Sequence, residues 1–311
     1  MSNPFQTHEH PVSTANRSRV PRAATREDLA LGALLAGATC IALSPIWVRV
    51  SEVGPTASAF WRVALAVPAL WLLVPLAGRH SAPRMLTHWK LLVAAGVAFA
   101  GDLVFWHWSI KYTSVANSTL LANLASIFVT LAVWLFWRRR PSGVFLVGLF
   151  TALCGVGMLV RSSLDFSSTA LLGDGLGVVT AIFYAWYLLT VKSLRDRGAS
   201  VLMLMAGTTT LTALLLFPVA LASGEALLPQ SALGWWKLLG LALISHSAGQ
   251  GLIAYALAHL RAAFSSVSLL FQPVMAALFA WMLLGEPLAA LQMVGGIVVL
   301  AGIYLARRGS T

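Results

Sequence analysis

Apolar residues in this chain come in long unbroken runs rather than in alternation. A helix needs about 20 mostly apolar residues to cross the roughly 30 Å hydrocarbon layer of a bilayer. Runs of about that length cover residues 29–48, 57–77, 91–110, 114–137, 143–160, 172–191, 201–221, 236–258, 262–284 and 288–306. Short connections separate them, several marked by turn formers such as Gly54-Pro55, Pro141-Ser142-Gly143 and Gly285-Glu286-Pro287. A transmembrane β-barrel would instead show segments of about ten residues with alternating polarity. The pattern predicts an all-α membrane protein of ten transmembrane helices.

The runs also repeat. Shifted by 147 positions, Trp89-Lys90-Leu91-Leu92 falls on Trp236-Lys237-Leu238-Leu239, Ser118 on Ser265, Trp134 on Trp281, Gly148 on Gly295 and Gly155 on Gly302. One constant offset across several helices and their loops reads as a five-helix unit written twice. Five is odd, so the second copy enters the membrane from the opposite side, and the expected architecture is two inverted five-helix repeats, residues 29–161 and 172–308. Such repeats are a mark of secondary transporters, because two similar halves that exchange conformations turn an inward-open cavity into an outward-open one.

Composition and charge sharpen this picture. Only 10% of the 311 residues are charged and 59% are hydrophobic, against about 25% charged in soluble domains, so a soluble enzyme is excluded. The net charge of +11 does not point to nucleic acid, since the cations lie between apolar runs and form no stacked basic face. Sixteen of the 21 Lys and Arg fall at one end of the expected helices, including Arg138-Arg139-Arg140, Lys192, Arg195, Arg197 and Arg261, and four at the other, Arg49, Lys111, Arg161 and Lys237. Short loops rich in Lys and Arg stay cytoplasmic, which predicts a multi-pass protein of the bacterial inner membrane with both termini inside. Residues 1–28 are polar and carry four Arg, and are expected to form a disordered cytoplasmic tail with His8-Glu9-His10 solvated. Cys40 and Cys154 lie far apart inside apolar runs, so no metal or cofactor is expected. Asn117-Ser118-Thr119 matches a glycosylation sequon but lies inside a helix, and Gly173-Asp174-Gly175 is expected to be a loop and helix start with Asp174 near the N-cap.

The stretches Lys111-Tyr112-Thr113-Ser114-Val115-Ala116-Asn117 and Leu121-Ala122-Asn123-Leu124, with Phe271-Gln272-Pro273, Leu284-Gly285-Glu286-Pro287 and Gly295-Gly296, resemble the drug/metabolite transporter superfamily, in particular EamA-type permeases with two EamA repeats. The resemblance covers almost everything after the tail. It implies a ten-helix permease, commonly an exporter of amino acids or other small metabolites, with a central cavity lined mainly by the third, fourth, eighth and ninth helices. The first copy departs from the pattern: Ser126 stands near a common helix proline, and Trp137-Arg138-Arg139-Arg140 replaces the Leu-Gly-Glu that the second copy keeps. Glu286 is expected to serve the turn rather than the solute.

Ionisable groups at membrane depth are costly and are functional candidates by default. Arg62 and Asp102 are expected to pair in the outer half, with Asp102 either exchanging a proton or serving as a fixed counter-ion. Helical spacing puts Phe99, Asp102 and Trp106 on one face, and Thr119, Asn123, Ser126 and Thr130 on another. His246, Gln250, Ser268 and Gln272 complete the expected substrate cavity, Pro273 is the expected kink, and His107 is expected at the interface. The same polar stripes also serve helix association by hydrogen bonding, a reading about as strong as a cavity. The functional expectation is a secondary transporter of a small metabolite such as an amino acid or drug-like compound, with no ATP motif. A receptor or assembly factor is the alternative. A rhomboid-like protease is disfavoured because His246-Ser247-Ala248-Gly249 lacks its motif.

Overall fold

The computed structural model describes residues 26–77, 87–113, 115–160 and 168–310. The tail up to residue 25, with His8-Glu9-His10, and Arg79, Arg84, Ser114 and Arg161 lie outside the described residues. Every regular element among the described residues is helical. In order these are α1 (Arg26–Ala42), α2 (Ser44–Arg49), α3 (Pro55–Ala64), α4 (Ala66–Leu73), α5 (Trp89–Tyr112), α6 (Val115–Ala122), α7 (Ala125–Trp137), α8 (Gly143–Val160), α9 (Ser168–Asp196), α10 (Val201–Ala222), α11 (Ala232–Gly240), α12 (Gly251–Ala256), α13 (Ala262–Ser268), α14 (Phe271–Leu284) and α15 (Ala290–Ser310). Several are two parts of one rod. Nine stretches among the described residues are long and apolar enough to cross a membrane, and Gly143–Leu159 is a shorter apolar tenth. The sequence expectation of ten thus meets nine long stretches and one short one.

The breaks within rods have local causes. The α1–α2 break at Leu43 and the α3–α4 break at Leu65 each precede a proline, Pro45 and Pro68, which lacks the N–H its turn needs. Pro273 lies in the first turn of α14, so the expected kink is a full break at Leu269-Leu270. The first copy breaks between α6 and α7 without a proline; there Ser126 donates its hydroxyl to the Asn123 carbonyl at 3.0 Å. Pro218 sits inside α10. Between α11 and α12 the chain winds as a π-helix, Leu241–Gln250, and Ser247 bonds back to the Ala242 carbonyl at 2.9 Å. Long π segments are rare and often mark functional sites.

Two rods cross tightly at glycines. A Cβ on Gly148 would lie 2.7 Å from the Gly302 carbonyl oxygen, and one on Gly155 would lie 2.7 Å from the Gly295 oxygen, so α8 and α15 lie antiparallel with backbones in contact, as small residues permit between membrane helices. Arg138 ends α7 in a left-handed conformation, φ 53°, and Gly285 ends α14 the same way, φ 67°. Glycine takes that conformation without strain, whereas an arginine does so at a cost.

Two sequence expectations fail here. Gly173, Asp174 and Gly175 lie within α9 rather than in a loop, because membrane burial favours continued backbone hydrogen bonding over glycine's preference for turns. Asp174 accepts a hydrogen bond from the Asn117 amide. His107 is fully buried, not interfacial, with its Nδ1 2.7 Å from the Leu103 carbonyl. Trp89 and Trp236 face outward, as belt residues do, while Trp235 packs edge-on against Trp61 with centroids 5.0 Å apart.

Candidate functional site

A cavity of about 80 Å³ lies deep in the bundle, bounded by the α1–α2 rod, α3, α5, the α6–α7 break, α9, the π-helix and α14. Of the residues expected at a site, Arg62, Asp102, Trp106, Asn123, Gln250 and Gln272 line it. Ser44, Thr119 and Tyr184 also contribute. Ser44 was absent from the expected set, because a serine beside a proline at a helix break carries no periodic signal.

The cavity walls hold polar atoms that bond to nothing in the protein. Ser44 Oγ, Arg62 Nε, the Tyr184 hydroxyl and Gln250 Oε1 are all buried without a hydrogen-bond partner. The Tyr184 hydroxyl faces the Gln250 and Gln272 amides without meeting hydrogen-bond geometry to either. An unpaired buried polar group costs about 1–3 kcal/mol, so four around one small space mark a place that water or a solute completes. The cavity therefore has room for ordered water. A metabolite needs it wider.

Arg62 and Asp102 line this cavity together, but the ion pairs formed by the described residues do not include theirs. Each feels the other's charge, and both face one polar space where bound molecules can bridge them. Phe99, Ser126, His246 and Ser268 do not line it. Phe99 stacks on Tyr187 and His246, with centroids at 4.7 and 5.3 Å. His246 Nε2 lies 2.8 Å from Thr209 Oγ1. Ser126 and Ser268 donate to carbonyls of their own turns at 3.0 Å each, the helix-internal role that competes with cavity lining for such residues.

A second cavity, about 780 Å³, lies at the Arg-rich end between α7, the α9 C-terminus, the α12–α13 connection and the end of α15. Thr130 lines it, seven residues from Asn123 in the small cavity, with buried Ser126 between them. The polar stripe read from the sequence therefore runs from one cavity to the other.

The opposite end is clamped. Glu225 accepts hydrogen bonds from Thr56 Oγ1 at 2.9 Å and the Ala57 N–H at 3.0 Å, and pairs with Lys111. Glu52 accepts from the Gln230 and Ser231 N–H groups at 3.0 and 3.1 Å and from the Ser231 hydroxyl. Arg49 pairs with Glu286, and Trp61 Nε1 donates to the Leu227 carbonyl at 2.5 Å. Burial alone would raise the Glu225 pKa, but Lys111, the Ala57 N–H and the Thr56 hydroxyl hold it below the usual range. The Ser231 hydroxyl and N–H lower that of Glu52.

Residues 29–161 and 171–308 each match the EamA-like transporter family. The chain belongs to that family. An EamA-like protein is a membrane transporter rather than an enzyme, as its relatives' names also say. It is 28% identical over 269 residues to an uncharacterised transporter of Archaeoglobus fulgidus, covering 84% of this chain and 90% of that one. It is 26% identical over 288 residues to a pseudopaline exporter of Pseudomonas aeruginosa, covering 89% and 96%. A probable terminal-alkyne amino-acid exporter of Streptantibioticus cattleyicolor is 26% identical over 248 residues, covering 79% and 80%. A solved crystal structure shares the fold with a TM-score of 0.76 at 15% identity, covering 92% of this chain and 99% of that one.

Proposed function

We propose that this EamA-like protein is a secondary transporter that exports a small metabolite, such as an amino acid or drug-like compound, by alternating access between residues 29–161 and 172–308 as two inverted five-helix halves. The observation that carries the proposal is a buried space with unsatisfied polar atoms, flanked by a large cavity at one end and cross-chain clamps at the other. Alternating access requires a central site closed to one side while open to the other.

Several features support the inverted halves. The helix breaks before α7 and α14, and the left-handed ends at Arg138 and Gly285, are separated by 147 residues or nearly so. At the α8–α15 crossing, Gly148 meets Gly302 and Gly155 meets Gly295; the offset carries each pair onto the other, as a two-fold axis between the halves requires. Gly143–Val160 lies along α15 through these contacts, which supports counting it as the tenth span. The charge bias puts the Arg-rich end and both termini in the cytoplasm of a bacterial cell, so the cavity there faces inward. Export is favoured by two relatives that bear the name exporter.

Asp102 is read as the fixed counter-charge of the site. Proton coupling through it is lost as an idea if Asp102→Asn keeps pH-dependent transport in proteoliposomes. For transport itself, counterflow of labelled amino acids and related metabolites in proteoliposomes is expected to be saturable for at least one solute. No exchange across a broad panel would favour a receptor or assembly factor instead.

A further inference from the structure

The large cavity at the Arg-rich end carries information about the solute that the small one does not. At about 780 Å³ it lies within the 300–1,000 Å³ of ordinary small-molecule sites. Its inner wall is apolar where Val133, Leu189 and Phe264 contribute, and its rim carries Arg139, Arg140, Lys192, Arg197 and Arg261 against a single carboxylate, Asp196.

Cations gather at the cytoplasmic end of any multi-pass protein, so charge at this end says nothing by itself. Their placement does. Three arginines outside the cavity lining are occupied: Arg195 donates to the Ala254 and Ala199 carbonyls, Arg307 pairs with Asp28 at 2.6 Å, and Arg308 lies over the Tyr304 ring at 4.9 Å. Of the cations in the lining, Lys192 alone has a carboxylate partner, Asp196 at 2.5 Å. Arg261 donates to the Ser310 carbonyl and Arg197 to the Ser193 hydroxyl at 3.4 Å, both neutral acceptors. No carboxylate among the described residues pairs with Arg139 or Arg140. Arg138, held in its left-handed conformation, turns the chain so that the next two arginines reach the cavity. A cleft lined by one sign of charge focuses its field and concentrates the opposite ion.

A second feature points the same way. Further along the polar stripe, Arg62 is 4% exposed, lines the small cavity, and its Nε lacks a hydrogen-bond partner. A guanidinium with an open donor suits a carboxylate or phosphate oxygen.

We propose that the transported solute carries an anionic group, carboxylate or phosphate, on a partly apolar body, captured at the Arg139–Arg140 rim and received inside by Arg62. This rests on the transport reading for the role of the cavities, and the anion site itself is measurable without transport. Trp137 lines the large cavity, so the fluorescence of full-length protein minus that of Trp137→Phe reports on it. Titration with citrate is expected to give a saturable change that weakens with salt, and titration with triethyl citrate, its neutral ester, none. The Arg139→Gln/Arg140→Gln double variant should weaken the response at least about tenfold, and Arg307→Gln, outside the lining, should keep it within about twofold. Equal responses to citrate and its ester, or equal losses in the two variants, overturn the proposal. Nanodiscs of phosphatidylcholine with and without phosphatidylglycerol separate the two sources of an anion: an unchanged citrate response supports a soluble solute, and its loss with phosphatidylglycerol assigns the cavity to a lipid headgroup and overturns it. Counterflow without citrate binding would sink this inference and leave the transporter standing, whereas citrate binding without counterflow of any solute would do the reverse.

Discussion

Moving each lining residue of the small cavity 147 positions along the chain, in whichever direction stays within it, gives the equivalent region of the other half. Ser44 becomes Val191, Arg62 becomes Thr209, Asp102 becomes Gly249, Tyr184 becomes Gly37, Gln250 becomes Leu103 and Gln272 becomes Ala125. Five of these six counterparts are glycine or apolar, and Leu103, the counterpart of Gln250, lines the same cavity. A Cβ on Gly37 would sit 2.7 Å from the Gly249 carbonyl oxygen, so the counterparts of Asp102 and Tyr184 meet closely where those two residues themselves border a cavity. Phe99 and His246, also 147 apart, stack on each other between the two regions, and the Thr209–His246 bond fills the place that Arg62 leaves open. The lining is drawn from both halves, Ser44, Arg62 and Asp102 from the first and Tyr184, Gln250 and Gln272 from the second, and none of these six residues keeps its type at the equivalent position of the other half.

Replacing cavity residues with their counterparts tests that comparison most severely. Arg62→Thr is expected to lower the initial rate of counterflow about 10- to 100-fold, since a hydrogen bond to a charged group contributes ~1.5–3 kcal/mol; a rate within twofold of wild type would show that the open region is not the site. Closing acts in the other direction at the sealed region. Gly37→Ala places a methyl against the Gly249 backbone and should destabilise by ~1–3 kcal/mol, read as a lower Tm in detergent, while an unchanged Tm would mean that the contact is not tight. A smaller effect is expected from Thr209→Val, which removes one hydrogen bond from His246 at about 1 kcal/mol and should leave counterflow nearly untouched. A large loss of transport there would restore His246 to the site.

The clamped end supplies the mildest test. Glu225 titrates below its ordinary range in the folded protein, so its contribution is present above the unfolded carboxylate pKa of about 4.3 and is lost as pH falls through the lower folded value. Acidification from neutrality to below about pH 4 should lengthen the distance between spin labels at Ser51 and Leu228, and Glu225→Gln combined with Glu52→Gln, which removes both titrating clamps, should make that distance insensitive to the same change.

Much of this was legible in the chain. Every apolar run became a helix, because a backbone in hydrocarbon has to satisfy its own hydrogen bonds, and the residue spacing brought Asp102, Trp106, Asn123, Gln250 and Gln272 to one cavity. Ser126, His246 and Ser268, which do not line it, share the composition and periodicity of the residues that do. What separates them is a local acceptor: a carbonyl one turn back, or Thr209 across the helix. Periodicity names a face and is blind to which partner stands opposite.

The amino-acid sequence by itself determined the helices, their approximate ends, the duplication and the charge bias, because these depend on local burial and on counting. Tertiary structure alone decided the winding of Leu241–Gln250 as a π-helix, the separation of Arg62 from Asp102 around a shared space, the closing of Gly37 on Gly249, and the pairing of Glu52, Glu225 and Glu286 with distant partners. Each of these depends on how close two helices come, and that distance is set by the side chains of both at once.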